Sequence, residues 1–304
     1  MFDIFSTVLL TVASQVGTTE VNKGLVEMTA IKYATVTNLK GKTTPLLMDV
    51  AFPAAEEELL PAVIFVHGGA WREGKREDGK KAIKMFANGR YFAATIDYRL
   101  APDSGFPDAV HDCKAAIRFL RRNANSLKID PDRIGIIGYS AGGHLAALVG
   151  LSDDSDELNG LLNGSDIPTN VTCVGSISGV VMPEFAKGQL RQIYDDWALD
   201  DKTVSKKDTL PSSYIDSSDP PVYLLCGESD EICPSEDSKI FVELLDKSNV
   251  EQHIEVIENS GHIIQKPSAY LGIVGFFDAH LGGNAKVKLQ QAIYELGDLL
   301  STGD

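Results

Sequence analysis

The chain has 304 residues, of which 43% are hydrophobic, enough for one large α/β core, and no stretch has the composition of an inter-domain linker. Its 43 acidic and 28 basic residues give a formal net charge of −15, which excludes nucleic acid and anionic membrane surfaces, since both need a basic face. Four cysteines (Cys113, Cys173, Cys226, Cys233) form no C-x-x-C pair and no cysteine/histidine cluster in sequence, so no disulfide, metal or cofactor is expected.

Along the chain, residues 1–17 include the apolar stretch Val8 to Ala13. This stretch has no preceding positive charge and is far short of the ~20 residues of a membrane span, so a short packing segment in a cytoplasmic protein is expected. β-rich runs at 29–37 and 45–52 flank Asn38, Gly41 and Lys42, a hairpin turn, so the sheet opens antiparallel. The continuous apolar run 62–66 reads as a strand buried on both faces. A helix at 80–87 and a strand at 91–96 follow. Apolar residues at steps of three and four from Phe106 to Leu120 mark a helix, with Asp108 and Asp112 near its start and Arg121 and Arg122 at its end complementing the dipole.

The run 133–137 reads as a strand and 144–148 as a helix, with Gly138, Tyr139, Ser140, Ala141 and Gly142 between them. A strand-to-helix turn that sharp exposes a nucleophilic serine and tolerates only small residues two positions to either side. Acidic residues 153–157 lack the spacing of a calcium loop and are expected to be a solvated loop. Strands at 171–177, 222–226 and 252–257 and helices at 236–246 and 269–279 continue the alternation, which implies a mostly parallel sheet between helices. Residues 180–219, with Tyr194, Trp197 and Tyr214, are expected to form a small cap, the one insertion in a single domain spanning 1–304. The tail, with Val287, Leu289, Ile293 and Leu296, reads as an amphipathic helix that can dock on its own domain or make a homodimer.

A serine nucleophile needs a base and an orienting carboxylate, and on this architecture the chain order is Ser, acid, His. Asp230, just past the strand 222–226, is the expected acid, with Glu228 and Glu231 as rivals. His262 follows the last strand, next to Gly261, and is the expected base. His111, His253 and His280 fall on elements where packing is the default, and His144 is expected to pack beneath the site. His67, Gly68, Gly69, Ala70 and Trp71 follow a strand, so the amides of Gly68 and Gly69, with that of Ala141, are the expected oxyanion donors.

These strings, with Asp97 to Leu100, Phe106 to Val110, Asp219 to Pro221 and Gly261–His262, resemble α/β-hydrolases of the hormone-sensitive-lipase and bacterial feruloyl-esterase-like kind. The resemblance implies a carboxylic-ester hydrolase with Ser140, Asp230 and His262 as a triad, acting on a small-molecule ester such as a short-chain acyl ester of a sugar or aryl alcohol. Ala70–Trp71 looks more like the feruloyl-esterase-like and kynurenine-formamidase branches. Trp71 is therefore expected in the acyl pocket and Tyr139 beside the substrate. A formamide-cleaving hydrolase and a non-catalytic ligand-binding member of the fold are the alternatives.

Overall fold

A computed structural model describes residues 17–22, 24–56, 58–198 and 204–301. The N-terminal packing segment expected at 1–17 lies outside the described residues apart from Gly17, whose N–H donates to the Thr29 carbonyl at 2.8 Å.

The strands are β1 (Thr19–Asn22), β2 (Leu25–Thr37), β3 (Thr43–Pro53), β4 (Leu60–Val66), β5 (Phe92–Ile96), β6 (Ile129–Tyr139), β7 (Cys173–Ile177), β8 (Val222–Gly227) and β9 (Gln252–Ile257). They form one sheet in the order β1-β2-β3-β5-β4-β6-β7-β8-β9. The first three strands and their junction with β5 pair antiparallel; from β5 onward every pairing is parallel. β3 and β5 pair antiparallel, so the expected hairpin is stitched directly onto the parallel sheet. β1, a short polar strand, is an addition to the expected elements. Its residues are largely exposed, and so polar a segment offers no hydrophobic periodicity to read.

The helices that matter for the site are α1 (Lys80–Asn88), α2 (Asp108–Arg122), α3 (Ala141–Leu151), α4 (Gly188–Ala198), α5 (Ser235–Lys247), α6 (Leu271–Leu281) and α7 (Ala285–Ser301). Alternate side chains of the central strands feed two cores. Val63, Phe65, Ile137 and Leu225 pack with Ile83 and Phe86 of α1 and Val274 and Phe277 of α6. Ile64, Val66, Ile136 and Leu224 pack with α2, α3 and α5 through Val110, Leu145, Leu148 and Phe241. Burial on both faces is why β4 reads as an unbroken apolar run. α7 packs back on α1 and α6 of its own chain.

Residues 180–219 hold α4 and three single 3₁₀ turns, Pro183–Phe185, Lys206–Thr209 and Pro211–Ser213. Tyr194 and Trp197 of α4 are buried. Of the acidic segment expected as a solvated loop, residues 153–155 are turn and loop, and exposed Asp156 and Glu157 open the short helix Asp156–Asn159, capped by the Ser155 side chain and anchored by buried Leu158. Among the described residues, no helix is long and apolar enough to cross a membrane.

Candidate active site

β6 ends at Tyr139 and α3 begins at Ala141, so Ser140 alone makes the turn, at φ 55° and ψ −119°. A non-glycine residue in that region stores roughly 1–3 kcal/mol of strain. The turn is held from outside. Ser140 N–H donates to the Ile177 carbonyl at 2.9 Å, and the Ser140 carbonyl accepts from His144 at 3.1 Å. A Cβ on Gly138 would lie 2.0 Å from the Gly142 carbonyl oxygen, and one on Gly142 would lie 2.2 Å from that of Val66. The spacing of small residues about Ser140 is thus a packing necessity.

Three loops bring the expected side chains together. His262 Nε2 lies 3.0 Å from Ser140 Oγ, and His262 Nδ1 lies 2.9 Å from Asp230 Oδ2. Asp230 has a fully buried side chain, and its other oxygen accepts the N–H groups of Ile232 and Cys233, each at 2.9 Å. The carboxylate is therefore fixed before the histidine meets it. Of its rivals, Glu228 accepts the Asn259 N–H at 3.1 Å and braces the histidine loop, while Glu231 lines a cavity. The other histidines serve packing. His111 Nε2 contacts the Glu157 carbonyl at 2.8 Å, and His280 lies against Phe276 with ring centroids 4.4 Å apart.

The loop after β4 passes over the serine. A Cβ on Gly68 would sit 3.2 Å from Ser140 Cβ, so this glycine lets the backbone close on the nucleophile. Among the described residues the amides of Gly68, Gly69 and Ala141 donate no hydrogen bond within the fold, and that of Ala141 opens α3. Free N–H groups at a helix start beside the hydroxyl suit an anion.

Sequence reasoning missed what holds this loop. Arg76 Nε contacts Asp49 at 2.7 Å, and its Nη1 and backbone N–H contact Asp97 at 2.8 and 2.9 Å. Tyr98 stacks on His67 at 4.3 Å and donates to its carbonyl, and burial lowers the His67 pKa, so the imidazole stays neutral and structural. Asp97 stands in the quoted strings, but nothing in them names Arg76 as its partner.

One expectation about substrate contacts changes. Trp71 is fully buried, with no surface open to solvent. Its backbone has φ 58°, which turns the indole inward, where it stacks on Trp197 at 4.9 Å and meets His144 and Tyr194 at 5.3 and 5.5 Å. It anchors the cap. Tyr139 donates through its hydroxyl to the His262 carbonyl at 3.1 Å and borders a largely apolar cavity of about 540 Å³ with Phe65, Met85, Ile177 and Ile263. Its clearest role is to hold the histidine loop. His144 packs beneath the site as expected and also reaches the cap, its Nε2 lying 3.0 Å from the Thr209 carbonyl.

A larger cavity of about 1040 Å³ opens between residues 184–193 and residues 231–240. Ala70, Phe185, Leu190, Ile193, Ile232 and Ile240 supply apolar surface, and Glu184, Glu231, Glu236 and Asp237 supply carboxylates. Ala70 follows Gly68 and Gly69, and Glu231 follows Asp230, so this cavity adjoins the Ser140–His262–Asp230 cluster. Cys226 and Cys233 are both free thiols. The fold does assemble a cysteine/histidine group that the spacing concealed: ligand atoms of Asp230, Cys233 and His262 lie within 4.8 Å of one another.

A parallel sheet with a serine elbow after β6, the acid after β8 and the histidine after β9 defines the α/β-hydrolase fold. The chain belongs to the BD-FAE family, whose model matches residues 48–245. It is 33% identical over 195 residues to esterase LipC of Mycobacterium tuberculosis, covering 61% of this chain and 48% of LipC. It is 27% identical over 238 residues to the isoprenylcysteine alpha-carbonyl methylesterase ICME of Arabidopsis thaliana, covering 71% of this chain and 53% of ICME. The chain thus spans about half the length of these curated relatives. A truncated carbohydrate esterase from gut microbiota superposes with a TM-score of 0.69 at 20% identity, over 88% of this chain and 98% of that one. An esterase of Thermogutta terrifontis does so with a TM-score of 0.66 at 23% identity, over 81% and 92%.

Proposed function

We propose that the protein is a serine carboxylesterase that cleaves short-chain acyl esters through an acyl-enzyme. The contact chain Ser140 to His262 to Asp230, at 3.0 and 2.9 Å, carries this reading. Ser140 Oγ attacks the ester carbonyl carbon while His262 Nε2 takes its proton, and Asp230 holds Nδ1–H and so fixes the tautomer. The carbonyl oxygen becomes an oxyanion held by the amides of Gly68, Gly69 and Ala141. His262 then gives its proton to the departing alkoxide, and the C–O bond to the alcohol breaks. Water repeats the sequence from the other side and releases the acid, restoring Ser140.

The cavity beneath the cap supports an alcohol portion that is neutral and polyhydroxylated or aryl. Its carboxylates accept hydroxyl hydrogen bonds, and half-exposed Phe185 offers a flat apolar surface. The names of relatives agree, since one structural neighbour is a carbohydrate esterase and another an acetyl ester-xyloside bifunctional hydrolase.

The test is labelling by a fluorophosphonate probe together with turnover of acetyl, butyryl, octanoyl and feruloyl esters and of N-formylkynurenine. Labelling at Ser140 with acetyl esters turned over best is the expected result. Failure to label would favour a ligand-binding role, and faster cleavage of the formamide would replace the ester by an amide.

A further inference from the structure

The thiol of Cys233 takes no part in the proposed chemistry, yet it stands against the two groups that do. Its sulfur, a carboxylate oxygen of Asp230 and a ring nitrogen of His262 lie within 4.8 Å of one another, a set a single ion can bridge after small side-chain shifts. Thiolate, imidazole and carboxylate are the donors of tetrahedral zinc sites with one position left for solvent. We propose that Asp230, Cys233 and His262 form an inhibitory binding site for a thiophilic divalent cation, zinc foremost.

One further observation favours a cation here. From Glu228 to Asp237 the chain carries five carboxylates and no lysine or arginine. Ile232 and Pro234, on either side of buried Cys233, line the cavity of about 1040 Å³.

Binding displaces the thiol proton to solvent and uses a lone pair of His262. Capture through Nδ1 breaks the bond to Asp230, and capture through Nε2 blocks the path to Ser140, so either mode removes the base. The inhibitory half of the proposal rests on His262 being that base; the binding half does not.

The full chain, stripped with EDTA, is titrated with Zn²⁺ during hydrolysis of p-nitrophenyl acetate and separately with Co²⁺ while its absorption is recorded. Wild type is expected to lose activity, to recover it on adding EDTA, and to show sulfur-to-cobalt charge-transfer absorption. Cys233→Ser should need at least ~10-fold more Zn²⁺ for half-inhibition of its own activity and should lack that absorption. Ser140→Ala, which keeps all three ligands, should retain the absorption. If Cys233→Ser does not fold, as judged by circular dichroism, Cys233→Val replaces it. Inhibition of the cysteine variant at wild-type zinc concentrations, or a wild-type cobalt spectrum without sulfur absorption, overturns the site. The cobalt spectrum decides the matter even if no ester is hydrolysed, so failure of the site and failure of the esterase reading remain distinct.

Discussion

Asp230 sits in a network whose parts have unequal jobs. Two backbone amides hold one of its oxygens and the imidazole holds the other, so replacing it with asparagine keeps the shape while allowing the wrong histidine tautomer. Asp230→Asn is expected to lower kcat for p-nitrophenyl acetate by ~10⁴-fold with little change in melting temperature. Ser140→Ala should cost at least ~10³-fold and leave a folded protein that the fluorophosphonate no longer labels, read by steady-state kinetics and intact mass. At this scale the sequence was legible wherever chemistry and chain order coincide, as for Ser140, Asp230 and His262. It was silent where orientation decides, as for Trp71, because the residue type does not reveal a backbone at φ 58° that sends the indole inward. It was equally silent on Cys233, whose contact with His262 spans 29 residues of chain and depends on two loops meeting.

At the scale of elements, α4 and α3 are joined by buried aromatic packing around His144. Trp71, Tyr194 and Trp197 surround that imidazole, and Thr209 supplies its one hydrogen bond among the described residues. Burial lowers the His144 pKa from its ordinary 6.5 to about 4. The unfolded chain therefore takes up a proton near pH 6.5 that the fold refuses until near pH 4. Stability is full above about pH 6.5 and drains as pH falls towards 4, by on the order of 3 kcal/mol. Denaturant midpoints measured from pH 7.5 to 4 should show this loss, and His144→Gln should flatten it. Trp71→Phe tests the corrected role of the indole: the melting temperature should fall by several degrees while KM for an acetyl ester stays within about twofold. The elements themselves were largely readable because the strands are continuous apolar runs and α2 is strongly amphipathic. β1 and the Asp156–Asn159 helix were not, since their short polar sequences owe their form to a neighbouring strand and a cap.

Across the whole molecule, the excess of acid over base persists into the cavity beneath the cap, where Glu184, Glu231, Glu236 and Asp237 face one lysine, Lys187. Such a cleft repels anions, and salt screens the repulsion. An ester with a carboxylate in its alcohol portion should show a KM several-fold above that of its neutral isostere at low ionic strength, and 0.5 M NaCl should narrow the gap. Equal KM values at both salt concentrations would count against substrate passing these carboxylates.

The contorted backbone at Ser140 has a consequence beyond the reaction. Glycine would occupy φ 55° and ψ −119° with less strain, so Ser140→Gly trades turnover for a sturdier fold. Under mutational drift, thermodynamics alone would push this position towards the residue that ends its chemistry. Only selection for a working hydroxyl opposes that drift, so a lineage released from such selection should lose the serine early, and its descendants should be inert and harder to melt.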